Sequence, residues 1–90
     1  MDVIAPAGVV GPTEAAALKR HLLELCSQER PLVHVDLRGV EELHLTAANS
    51  IIRAAMEAHR HRGTLTVTTT AGSSVRVTIA RAGLYQQLDP

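Results

Sequence analysis

Thr46 has the best-placed reactive side chain in this sequence. It stands just before Ala48, Ile51, Ile52, Ala55 and His59, an apolar pattern of helical period, where a helix N-cap belongs. A hydroxyl at a loop-to-helix junction has two uses. It can accept a backbone N–H as a cap, or it can carry a phosphate beside free backbone N–H groups. The capping use is preferred, because every helix needs a cap and few caps are modified. His44 lies in the same loop. Its plain reading is an exposed turn residue and its sharper one a contact residue. Asn49, Arg53 and Glu57 are spaced four apart and form a candidate polar stripe on the helix that follows.

The other reactive residues have structural explanations. Cys26 lies in the apolar stripe Leu22-Leu23-Glu24-Leu25-Cys26 and reads as a buried, inert thiol. Asp36 reads as an exposed or hydrogen-bonded carboxylate on the polar side of a strand. His59 and His61 are two apart and do not share a helix face. There is no Cys-x-x-Cys, no His-x-x-x-His and no Gly-rich phosphate loop, and the Ser, His and Asp residues form no recognisable triad. No metal, no cofactor and no enzymatic activity are therefore expected.

The elements that position these residues follow from periodicity. Val33, Val35 and Leu37 alternate with His34 and Asp36 in a central strand that Arg38-Gly39 ends. Leu65 and Val67 alternate with Thr64, Thr66, Thr68 and Thr70 in a later strand. Asp2–Ala5 suits a short first strand limited by Pro6. Thr13 is a candidate cap for a helix whose buried face is Ala15, Leu18, Leu22 and Leu25, with Lys19, Arg20 and Glu24 placed away from it. The second helix is predicted from about 47 to 61, ending in Arg60-His61-Arg62 with Gly63 as its C′ residue. The segment around Val75, Val77 and Ile79 is ambiguous by period. Ser73 or Ser74 as cap, Val75, Ile79 and Ala82 on one face, and Gly83 followed by Leu84 as the stop favour helix. Strands with one apolar and one polar face place the helices on one side of the sheet. The expected fold is α/β: one domain over residues 1–90, with a central mixed sheet of about four strands and helices packed on one face.

Composition removes several classes of function. Lys+Arg and Asp+Glu both number 9, so charge gives no argument for nucleic acid or an anionic membrane. One Tyr, with no Phe or Trp, leaves no base-stacking platform. Cys26 is the single cysteine, which excludes an intrachain disulfide and agrees with a reducing, cytoplasmic location. No signal peptide pattern and no uncharged run of about 20 residues is present, so direct membrane insertion is not expected.

The residues Leu32-Val33-His34-Val35-Asp36-Leu37-Arg38-Gly39-Val40, then Leu43, then a helix, resemble the STAS domain. This is the family of bacterial anti-sigma-factor antagonists and of the cytoplasmic tails of sulfate transporters. Gly83-Leu84-Tyr85-Gln86-Gln87-Leu88 matches the family's close. In antagonist members the loop before the helix usually reads Asp-Ser-Ser-Gly, and an anti-sigma kinase phosphorylates its first serine. Here the loop is His44-Leu45-Thr46-Ala47. Leu45 stands at the acceptor position and accepts no phosphate. The second serine becomes Thr46, a candidate phosphoacceptor, and the glycine becomes Ala47. The resemblance implies a non-enzymatic interaction module that docks a partner through His44, Leu45, Thr46, Ala47, Asn49 and Arg53. The implied partner is an anti-sigma factor kinase or another STAS-domain protein. The alternative is a soluble STAS subunit of an ABC lipid-transport complex, touching its ATPase. A short first strand and an exposed sheet edge leave homodimerisation open.

Overall fold

The computed structural model describes residues 1–83. Its order is β1 (Asp2–Ile4), β2 (Gly8–Val10), α1 (Pro12–Cys26), β3 (Leu32–Asp36), β4 (Val40–Leu43), α2 (Leu45–Arg60), β5 (Thr64–Thr68) and α3 (Ser74–Arg81). The α/β class expected from the alternating segments is present. The expected sheet of about four strands is instead five, divided as β1-β3-β5 and β2-β4, and every one of these pairings is parallel.

The division has a local cause. Pro6 interrupts the first arm, and Gly8 turns it with a φ of +75° that favours glycine. Opposite, the second arm turns at Arg38-Gly39, where the Val40 N–H donates to the Leu37 carbonyl at 3.0 Å. The arms stay side by side through both bends, joined by the Gly8 N–H to the Gly39 carbonyl at 2.9 Å. The chain thus has room for two strands before α1, each three residues long.

The period-two alternation is realised on β3 and β5. Val33, Val35, Leu65 and Val67 are buried, and they join Leu22, Ile51 and Ile79 in one core. The other face carries His34, whose ring bridges the hydroxyls of Thr66 (2.6 Å) and Thr68 (2.9 Å) across the strand pair. The helices accordingly cover the apolar face. Helices α1 and α2 share the most extensive contact of any two elements. The buried residues include Ala15, Leu18, Leu22 and Cys26 on α1 and Ala47, Ala48, Ile51, Ala54 and Ala58 on α2. Four of the five on α2 are alanines, whose small side chains permit close helix packing.

The N-caps of α1 and α2 differ from expectation and that of α3 agrees, and after α2 the left-handed residue is Arg62, with a φ of +62°, and not Gly63. Gly11, not Thr13, is the N-cap of α1, because Pro12 takes the first helical position, where its missing N–H costs nothing. Glu14 completes the turn by accepting the Gly11 N–H at 3.3 Å. Residues 74–81 are helical, as the Ser73 reading implies: its hydroxyl accepts the Arg76 N–H at 3.2 Å, and Val75 and Ile79 are buried. Gly83 follows with a φ of +90°. The Gly-Leu close expected beyond it lies outside the described residues.

Candidate docking site

Strand β4 delivers the chain to the start of α2. Leu43 is buried, and the His44 N–H donates to the Val10 carbonyl at 2.9 Å, which pins the junction to β2. His44 then caps the helix. Its backbone is extended, with φ −67° and ψ 146°, and its Nδ1 accepts the Thr46 N–H at 3.1 Å. An accepting Nδ1 carries no proton, so the Thr46 hydroxyl, 2.8 Å away, donates to the same nitrogen. Thr46 is therefore not the N-cap. The helix starts at Leu45 and Thr46 lies inside its first turn. Imidazole is an uncommon cap, so the ordinary cap preferences pointed to the nearby threonine instead.

The remaining predicted residues separate sharply. Leu45 is 54% exposed, at the tip of the junction. Asn49 and Arg53 are exposed on the surface of α2, as the stripe requires. Ala47 is 0% exposed and packs in the core, so it offers no surface to a partner. Glu57 also leaves the stripe. It is half-buried and its carboxylate holds Arg60 at 3.2 Å and His61 at 2.9 Å.

The structure adds residues from α1. Pro12, Ala16 and Lys19 line a groove of about 390 Å³ with Thr46, Asn49, Ser50 and Arg53 of α2. Sequence reasoning placed Lys19 only as a solvent residue, because periodicity describes one helix and not the neighbour it meets. Ser50 is already engaged, its hydroxyl donating to the Thr46 carbonyl at 2.9 Å.

The other reactive groups are satisfied elsewhere. Arg38 holds Asp36 through two side-chain bonds, 3.0 and 2.9 Å, and through its own N–H at 3.0 Å. These bonds pull the Asp36 carboxyl down to about 2. Cys26 is buried, and desolvation, with the Glu57 charge second, pushes its thiol up to about 11. That is the inert thiol expected from its apolar context. Among the described residues no group of three or more His, Cys, Asp or Glu side chains is placed to hold a metal. No described helix is long and apolar enough to cross a membrane.

Comparison with known proteins agrees with this architecture. A family model described as "Mlab, STAS domain" matches residues 2–89. Among solved structures, the STAS domain of a SulP transporter from Vibrio cholerae matches with a TM-score of 0.66 at 21% identity. The alignment covers 99% of this chain and 72% of that one, and the likeness is one of fold. No curated protein matches the chain. The family match spans both arms of the sheet, the capped α2 junction and α3, and the chain belongs to the STAS domain family of protein-interaction modules.

Proposed function

We propose that this STAS domain is a non-enzymatic docking module that engages a protein partner through Leu45, Thr46, Asn49 and Arg53, with His44 holding the junction in shape. The observation that carries this reading is the exposed Leu45 at the tip of a capped, rigidly anchored helix start. An apolar side chain presented by a fixed backbone suits a partner pocket, because little ordering is left to be done on binding. The position that accepts phosphate in antagonist relatives is this leucine, so docking proceeds without that switch. Thr46 is the remaining hydroxyl of the loop, exposed and held by His44.

Two partner classes suit such a module: an anti-sigma factor kinase or STAS-domain protein, and the ATPase subunit of an ABC lipid-transport complex. The leucine favours the transporter class, since a sigma-pathway antagonist without its acceptor serine loses its off-switch.

Affinity capture from the native host tests the proposal. The wild-type chain as bait should retain a protein of one of these classes, identified by mass spectrometry. Leu45→Asp should reduce its affinity about tenfold or more while the melting curve stays close to wild type. Capture indifferent to Leu45→Asp would remove the site from consideration. Stoichiometric phosphothreonine at Thr46 in the free chain, absent from the complex, would replace switch-free docking with a shifted acceptor.

A further inference from the structure

We propose that the groove between α1 and α2 is a slot for carboxylate side chains on an acidic segment of the partner, seated beside Leu45. The inference rests on the docking reading above and names the chemistry of the surface that docks. The groove lining carries Lys19 and Arg53 and not one acidic residue. Among the described residues neither cation makes an ion pair or hydrogen bond. The Asn49 amide, also in the lining, likewise has no partner among the described residues. Two unpaired cations and a free amide thus converge on one concavity, on a chain whose formal net charge is zero.

Three carboxylates of the chain are bound outside the groove. Glu14 turns back to the Gly11 N–H, Asp36 is bound to Arg38, and Glu57 is bound to Arg60 and His61. The hollow at the other end of α2 makes the contrast. It is lined by Ser27, Glu29, Arg60, His61 and Arg62, so it contains its own anion, and Glu57 is bonded to two of its basic side chains. Lys19 is half-buried and lines the groove, as a lysine does when its aliphatic stem packs and its charge stays near water. An arginine, a lysine and an amide offer only donors from their N–H groups, and carboxylates are acceptor-only. Charge complementarity of this kind sets partner choice and speeds association.

The test is a nuclear magnetic resonance titration of the full chain. The probe is a blocked peptide of Glu, Leu and Ala, compared with its Gln, Leu and Ala counterpart. The acidic peptide should shift the signals of Lys19, Asn49 and Arg53, and added salt should weaken it. The double variant Lys19→Gln with Arg53→Gln should bind the peptide about tenfold more weakly with unchanged melting. Equal binding of both peptides, no binding at millimolar peptide, or shifts confined to Arg60 and Arg62 would overturn the inference. Inorganic phosphate or phosphatidylglycerol vesicles that shift the same signals as strongly as the peptide would also overturn it, in favour of a general anion site. The docking reading fails separately. If the double variant captures the host partner undiminished while Leu45→Asp does not, the module stands and the slot falls.

Discussion

The two ends of α2 both carry basic side chains and differ in how those are partnered. At the C-terminal end one carboxylate is bound to two of the basic side chains. Glu57 holds Arg60 and His61, the Arg30 N–H donates to the His61 carbonyl at 2.9 Å, and the Thr64 N–H donates to the Pro31 carbonyl at 2.8 Å. At the N-terminal end Leu45 is exposed, and Lys19, Asn49 and Arg53 have no partner among the described residues. The basic run Arg60-His61-Arg62 is the more conspicuous in sequence, yet it closes a helix. The quieter end keeps the exposed leucine and the groove that the docking proposal uses. Satisfied polar groups hold a fold together, whereas unsatisfied ones at the surface are available for recognition.

Substitutions at the two ends should separate along the same line, and the largest effect belongs to the closed end. A Cβ on Gly63 would run into the Pro31 carbonyl oxygen and ring. Gly63→Val should therefore cost about 3 kcal/mol or more in chemical denaturation. A stable Gly63→Val protein would show that this junction yields, and the contrast between the ends would lose its structural half.

Next in size is the effect of Leu45→Asp on binding, about 1.4 kcal/mol for a tenfold loss, with stability changed by less than about 0.5 kcal/mol. Isothermal calorimetry with the captured partner, beside thermal unfolding, checks both halves. A variant that loses stability and binding together would make Leu45 a folding residue.

The cap gives a smaller and sharper comparison. His44→Ala should cost about 1 kcal/mol and His44→Asp should restore it, because aspartate is a preferred cap. Thr46→Ala should cost less than His44→Ala, since Thr46 lies inside the helix and its N–H still finds Nδ1. The reverse order in urea unfolding would return the capping role to Thr46.

The smallest effect concerns Asp36. Its carboxyl titrates at about 2, against an ordinary value of 3.8, because Arg38 stabilises the charged form. A depressed folded value means that this contribution is present above the unfolded value and is lost as pH falls from about 4 through about 2. Arg38→Gln should raise the Asp36 titration towards 3.8, read from its carboxyl resonance. An unmoved titration would show that the backbone N–H of residue 38 alone sets it. Both groups lie at the surface, so melting near neutral pH should hardly change.

Much of the scaffold was legible without coordinates. Alternation over Val33–Leu37 and Thr64–Thr68 identified strands with one buried face, and Ser73 with Val75 and Ile79 identified α3 against its β-branched composition. The Pro6 break was visible, but the split into two sheets was not, since it depends on both arms bending at the same level. Of the site, Leu45, Thr46, Asn49 and Arg53 were identified and are exposed. Ala47 and Glu57 were named with them, and one is buried while the other is bound.

By itself, the sequence determined which residues form each element and which face of each is apolar, because periods of 2 and 3.6 residues are properties of a single segment. It also determined that the loop position of the usual acceptor holds a leucine. Tertiary structure alone decided that His44 caps α2, that Ala47 is spent on packing, and that Lys19 meets Arg53 across a groove. Each of those depends on two segments distant in sequence, or on one side-chain geometry chosen among several local alternatives. Burial and charge pairing are settled only when the neighbouring element arrives.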